Sequence, residues 1–367
     1  MPEKFGKNYK RISCILVVFC LIFSLVFYFI QGLCSLNAKC FNFEMLETQP
    51  SKNFFCNFFS KSKRQNNESK INAVLGGGVY CFNLKCSGVI VKEFEDVKTM
   101  EGFSSPMKNS GIKIGSVITK VNDESFDGAF DFVSKIESSD GSVKLNYFDG
   151  VKEKTTSVFP AINLSGKKKL GIWIKDDISA TGTLSFINCD SNKFYALGHS
   201  VVDFETGAKV NAEFGEVKFC RVLGAEKSKS GKVGELKTVL DYEVIGNSKL
   251  NFDNGVVGTF MQNPVGEIMP IAFDGEAKIG KAQIFCTVST EGARFFDCEI
   301  IKVLPNRKNK NLTIRITDKN LIEKTGGIVQ GMSGSPIVQN GKIIGVLTHS
   351  FVNDPKVGFA ILPRKII

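Results

Sequence analysis

The chain opens with an uncharged run, Ile12 to Ile30 (ISCILVVFCLIFSLVFYFI), set behind Lys4, Lys7, Lys10 and Arg11. As a helix, that run is long enough to cross a hydrocarbon core of about 30 Å. It exceeds the roughly 7 to 15 apolar residues of a cleavable signal's core, and no small-x-small cleavage site follows closely. The pattern therefore predicts an uncleaved signal anchor, with a cleaved signal as the alternative. The basic flank stays in the cytoplasm, so everything after about Leu36 lies on the far side of the membrane. Residues 37–70 then turn progressively polar without a helical or strand period, and read as a juxtamembrane tether.

From Ile71 the pattern changes. GGGVYCFNLKCSGVIVKEF offers two short strand-like runs, and GIKIGSVITKVNDESFDGAFDFVSKI gives a strand, a polar turn and a helix with Ala129, Phe132, Val133 and Ile136 at helical spacing. A hairpin about Asp149-Gly150 follows. Beyond a lysine-rich joint, NLSGKKKLG, come many short apolar runs separated by turns, among them GTLSFIN, FYALGHSVV, AQIFCTVS and FFDCEIIKVL. Strands at such intervals predict a mainly β fold, a sandwich or a pair of barrels. Near the end, Pro336-Ile337-Val338 and Ile343 to Leu347 flank Asn340-Gly341, a pair that tolerates the positive φ of a type I′ turn. The expected division is 1–36 for the flank and transmembrane helix, 37–70 for the tether, 71–160 for a small α+β domain, and 161–367 for a β-rich domain.

Composition adds mostly exclusions. The 367 residues suffice for two modest domains, and 43% hydrophobic residues with 35 glycines suit strands and turns. The net charge of +10 is spread along the chain, with no basic stripe interleaved with aromatics, which argues against nucleic-acid binding. Eleven cysteines form no Cys-x-x-Cys pair and there are only two histidines, so a zinc site is not expected. The irregular cysteine spacing specifies no disulfide, and most of these residues read as small core side chains.

The chemistry gathers at IVQGMSGSPIVQNGKIIGVLTH, residues 328–349. A serine hydroxyl is a poor nucleophile unless a base takes its proton. Gly331 and Gly334 permit a sharp bend that exposes Ser333, and the backbone amides of Gly331 and Ser333 can converge as an oxyanion hole. An ordinary Gly/Ser turn before a hairpin has the same local sequence. Two imidazoles are available as the base: His199, after an apolar run and a glycine in FYALGHSVVD, and His349, at the end of the hairpin. Position alone does not choose between them.

Two resemblances sharpen this picture. The order Gly-x-x-x-Gly-x-Val-Ile-x-x-Val-Asn from Gly111 to Asn122, followed by the amphipathic stretch Ala129 to Ile136, resembles the PDZ domains attached to bacterial proteases. Such domains add an extended peptide as a strand and hold its terminal carboxylate with loop amides. Here the sequence offers Gly78-Val79-Tyr80-Cys81-Phe82 in place of the usual Gly-apolar-Gly-apolar carboxylate loop.

GMSGSP followed by a strand, Asn-Gly and a second strand is similar to the nucleophile loop of chymotrypsin-like serine proteases. LGIWIKDDISATGTLSFI, ALGHSVVDFETG and GIVQGMSGSPIVQNGKIIGVLTHSFVNDPKVGFAI together resemble the stage IV sporulation protein B peptidases, which join a membrane anchor, a PDZ domain and a trypsin-like serine peptidase domain in this order. The resemblance implies a double β-barrel, with Ser333 as nucleophile, His199 as general base and Asp318 as the orienting acid. Asp203, Asp241 and Asp354 are rivals for the last role, and an aspartate after a strand is most often a turn residue or helix cap. Ser200 replaces the glycine usual after the first histidine, and the C-terminus AILPRKII diverges.

By the same resemblance the enzyme needs no metal or organic cofactor. It cleaves a membrane-embedded regulatory protein between the forespore and mother-cell membranes, which activates a late sigma factor, and it can cut itself in the tether. A PDZ-bearing binding or scaffold protein with an inactive protease-like domain is the rival reading.

Overall fold

The computed structural model describes residues 70–209, 212–262 and 265–367. The predicted anchor and tether lie outside these. Among the described residues no helix is long and apolar enough to cross a membrane. The fold is mainly β, as the short apolar runs predict.

The chain runs through β1 (Asn72–Leu75), β2 (Val79–Phe94), a small hairpin of β3 (Val97–Thr99) and β4 (Gly102–Ser104), and β5 (Val117–Val121). A helix follows at Gly128–Ser138, then β6 (Val143–Phe148), β7 (Glu153–Val158), β8 (Ala161–Ile162) and β9 (Lys168–Lys169). Next come β10 (Ile172–Asn188), β11 (Phe194–Ala196), β12 (Ala212–Ala225), β13 (Leu236–Phe252), β14 (Gly255–Phe260) and β15 (Ile268–Pro270). The last third holds β16 (Gly280–Thr287), β17 (Ala293–Val303), β18 (Leu312–Ile316), a short helix at Lys319–Thr325, β19 (Pro336–Gln339), β20 (Lys342–Ser350) and β21 (Val357–Ile361).

Strands β16, β17, β18, β21, β20 and β19 close into a barrel. Its interior is packed with Ile284, Phe296, Ile300, Ile314 and Leu347, each burial contributing about 1.5–3 kcal/mol. The Asn340-Gly341 hairpin is as expected: the two residues take φ of 52° and 70°, and Gln339 pairs with Lys342. A second ring of six strands arises from an 11-stranded sheet, because β2 pairs with β10 as well as with β12, so that β10, β11, β14, β13, β12 and β2 return on themselves. Phe82, Phe194, Val217 and Val256 fill that ring. The two rings meet through Phe186, Tyr195, Ile271 and Ile343, with the Ala272 N–H bonded to the Ile343 carbonyl at 2.9 Å.

The sequence pattern predicts two short strands between Gly76 and Phe94, whereas the structure has one 16-residue strand. β2 pairs with β12 as far as Cys86 and with β5 from Val89. Gly88 sits at the change of neighbour, where a Cβ would lie 2.3 Å from the Ile118 carbonyl oxygen. The first half of β2 thus belongs to a barrel and the second half to a smaller module of β5, β6, β7 and the Gly128–Ser138 helix, around Val91, Ile118, Phe132, Ile136 and Leu145. Leu170, Ile172 and Ile174, from beyond residue 160, pack on the same core. The lysine-rich joint lies against the helix end, where Lys168 Nζ donates to the Ser139 carbonyl and Lys169 Nζ meets Glu137 Oε1 at 3.1 Å.

Of the cysteines, Cys86, Cys220, Cys286 and Cys298 are buried and none of the described ones is disulfide-bonded. Burial pushes the Cys298 thiol up to about 12, which keeps it protonated and inert.

Candidate active site

The nucleophile loop is built by glycine geometry and by one residue of the opposite barrel. Gly331 and Gly334 take φ of 94° and 99°. At Gly334 a Cβ would fall 1.9 Å from the Thr183 carbonyl oxygen, so only glycine fits. Thr183, fully buried on β10, donates its N–H to the Ser333 carbonyl at 2.8 Å and its Oγ1–H to the Gly331 carbonyl at 2.8 Å. From the other side the Gly334 N–H bonds to the Leu347 carbonyl at 2.8 Å, and Ser335 Oγ donates to the Met332 carbonyl at 2.6 Å. The Met332 N–H turns inward to the Val329 carbonyl, while the N–H groups of Gly331 and Ser333 on either side meet no acceptor among the described residues. Two free amides flanking a committed one have the donor pattern of an oxyanion hole.

His199 is delivered by a strained turn. After β11 ends, Leu197 and Gly198 both take left-handed φ, 70° and 69°, although Leu197 is a buried, Cβ-bearing residue. The turn is held because the Leu197 N–H donates to the Thr183 carbonyl at 3.2 Å. Gly198 presses on Thr348, whose Cγ2 would be 2.9 Å from an added Cβ. Downstream, buried Asn251 clamps Val201 through both its amide atoms, each at 2.8 Å.

Nδ1 of His199 lies 3.0 Å from the carbonyl oxygen of Ser200. A carbonyl can only accept, so the bond assigns the proton to Nδ1 and leaves Nε2 with a free lone pair, the tautomer a general base needs. Burial lowers the His199 pKa, partly offset by the Ser200 carbonyl, which favours the charged ring. The His349 ring stands 5.0 Å from that of His199. Desolvation by the surrounding protein lowers His349 to about 4, and repulsion from His199 and Lys310 adds to the shift.

Ser333 Oγ donates to the Thr348 carbonyl at 2.7 Å. Thr348, Gly198, His199 and His349 line one cavity of about 580 Å³. Ser333 is thus joined through Thr348 to the cleft that the imidazoles line, and its hydroxyl rests on a backbone acceptor rather than on a ring nitrogen.

Asp318 does not join them. It is the N-cap of the Lys319–Thr325 helix, with Oδ1 accepting from the Leu321 N–H at 2.9 Å and Oδ2 from the Asp297 N–H at 3.3 Å. Both oxygens accept from backbone amides and neither bonds an imidazole, so the contact expected of an orienting acid is not formed in this structure. The rivals are committed too. Asp203 is buried and bound by Thr206, Lys175 and Lys92, Asp241 accepts from the Glu243 N–H, and Asp354 from the Lys356 N–H. Among the described residues no carboxylate bonds either imidazole. The Ser200 carbonyl holds the place an acid would take, and no side-chain pattern could have announced it. No group of three or more metal-ligating side chains is assembled among these residues.

The stretch Gly78 to Phe82, which stands in place of the usual carboxylate loop, leads into β2, and Tyr80 to Phe82 pair on one edge with β10 and on the other with β12. A groove of about 480 Å³ does exist in the small module, between the Gly128–Ser138 helix and the stretch Leu170 to Ile174. Phe132, Val133 and Ile136 form one wall, and Leu170, Ile172 and Ile174 the other. This end of β10 pairs with β2 along one edge only.

The family model described as SpoIVB peptidase S55 matches residues 166–367. No curated protein matches the chain. Among solved structures, the inactive form of the Rv3671c protease is 15% identical, with 51% of this chain and 81% of that one covered and a TM-score of 0.29. The active form of the Rv3671c protease from M. tuberculosis is 16% identical, covering 52% and 71% with a TM-score of 0.29. Human heparin binding protein is 12% identical, covering 49% and 79% with a TM-score of 0.28.

Proposed function

The chain belongs to the SpoIVB peptidase S55 family and is a serine peptidase, and from that premise we propose a membrane-anchored endopeptidase that works outside the cytoplasm through a Ser333–His199 pair. The observation that carries the assignment is the convergence on Thr348, whose carbonyl holds the Ser333 hydroxyl while its flank lines the cleft with His199.

In the reaction, Ser333 Oγ swings about its χ1 from the Thr348 carbonyl to His199 Nε2 and attacks the scissile carbonyl as the imidazole takes its proton. The N–H groups of Gly331 and Ser333 receive the oxyanion. His199, its Nδ1–H steadied by the Ser200 carbonyl, returns the proton to the leaving amine, and water then releases the acyl group by the same steps in reverse. A carbonyl stabilises an imidazolium less than a carboxylate does, so turnover is modest by the standard of a full triad.

The uncharged run at Ile12–Ile30 supports the anchor and the extracytoplasmic site. The family resemblance supports a membrane-embedded regulatory protein as substrate, cleaved between the forespore and mother-cell membranes to activate late sigma-factor processing, with self-cleavage in the tether. For a peptide tail, the groove beside Phe132 and Ile136 supports a PDZ-like docking mode, with β10 as the strand to which the tail adds.

Fluorophosphonate labelling of the full-length chain in detergent tests the assignment. Ser333→Ala and His199→Ala should lose the label and His349→Ala should keep it. An unlabelled wild type would make the protein a binding module instead, a reading favoured by the resting bond between Ser333 and Thr348.

A further inference from the structure

The cleft beside Ser333 holds more positive charge than its own carboxylate can neutralise. Asp253 lines it and is shared by two lysines, Lys209 Nζ at 2.5 Å and Lys308 Nζ at 2.9 Å. These bonds hold the Asp253 carboxyl down to about 2, so it is spoken for at any working pH. Lys310, on the same loop as Lys308, is half-buried and makes no salt bridge or side-chain hydrogen bond among the described residues. Its Nζ stands 5.0 Å from the centroid of the Phe359 ring. Phe359 is the cross-strand partner of His349, and Lys310 and His349 both line the cleft. Of the two lysines that line the cleft, Lys308 is paired with Asp253, whereas Lys310 has no carboxylate partner among the described residues.

A half-buried ammonium facing a cavity large enough for a side chain is matched most economically by an anion from the substrate. The near wall is formed by Thr348, which holds the Ser333 hydroxyl, and by His199, so the entering side chain belongs to a residue at the scissile bond or close beside it. We propose that this cleft is a specificity subsite for an acidic substrate residue, aspartate or glutamate, with Lys310 as its counter-ion. The inference rests on the peptidase reading above. It adds that a polypeptide with a carboxylate flanking the cut is bound and turned over in preference to its neutral isostere. A partly exposed pair of this kind gives a preference of about fivefold, weaker at high salt.

The test separates binding from turnover. Positional-scanning decapeptides carrying Glu, Gln or Lys at each position are bound to the full-length Ser333→Ala chain, read by fluorescence anisotropy, and cleaved by the wild-type chain, read as kcat/KM. The expected result is one position at which Glu exceeds Gln by about fivefold in binding, with the same order in turnover. Lys310→Met should abolish the preference and Lys310→Glu should turn it towards Lys, while both variants keep wild-type fluorophosphonate labelling at Ser333. Equal binding of Glu and Gln peptides at every position, or a Glu preference that survives Lys310→Glu, overturns the inference. Because binding is read on a chain that cannot turn over, an inactive wild type would count against the peptidase reading alone.

Discussion

Replacing Asp318 distinguishes a helix cap from a catalytic acid, because the two roles differ by several kcal/mol in different observables. As an N-cap, Asp318 contributes one bond to the Leu321 N–H and a longer one to the Asp297 N–H. Asparagine caps about as well as aspartate and retains a carbonyl acceptor, so Asp318→Asn should cost less than about 1 kcal/mol. Alanine loses the cap, worth about 1 kcal/mol, while the exposed Asp297 amide turns to water at little cost. That lowers Tm by a few degrees. Neither change touches His199, whose Nδ1 is bonded to the Ser200 carbonyl. An orienting acid behaves differently: its amide isostere imposes the wrong tautomer and costs about 10⁴ in kcat. The assay is initial-rate hydrolysis normalised to active sites by fluorophosphonate titration, with thermal melting in parallel. Asp318→Asn should stay within about threefold of wild type in kcat. Asp318→Ala should melt earlier yet turn over normally per folded site. A loss of about 10⁴ in the Asn variant at unchanged Tm would refute this reasoning, because it would require Asp318 to leave its helix and reach an imidazole during catalysis.

The acid limb of kcat/KM should fall below the ordinary histidine value of 6.5, since burial disfavours the charged form of His199 and a base must be neutral to act, so the active form persists to lower pH. A pH–rate midpoint at or above 6.5 would count against His199 as the base. Thr183→Val keeps the shape of the side chain but removes the bond to the Gly331 carbonyl, worth about 1 kcal/mol. It should lower kcat by about fivefold with KM little changed, because the loop that presents the oxyanion donors loses its bearing. An unchanged kcat would remove Thr183 from the positioning apparatus.

The parts of the site legible in the sequence are those that local chemistry dictates. Asn340-Gly341 and the glycines around Ser333 announce their backbone geometry wherever they occur, and the structure uses them as expected. Asp318 is ambiguous for the same reason. An aspartate between a strand and a helix looks alike whether it caps or catalyses, and only its tertiary placement relative to the imidazole separates the two. Thr183, Asn251 and Thr348 carry no local signal at all, since each acts on a segment distant in the chain through a backbone carbonyl or amide.

The groove was hidden by chain order. Its helix comes at Gly128–Ser138, but its strand wall is supplied after residue 168 by what reads as a linker. That same strand, β10, continues without a break to Thr183, where it holds both the Ser333 loop and the turn before His199. Asp176, two residues beyond the groove wall, also accepts from the Ala129 N–H at the helix start. A peptide that adds to the free edge of β10 therefore bears on the element that positions nucleophile and base together. The groove and the two catalytic loops are thus joined by one strand, which passes from the small module into the barrel without a loop between them.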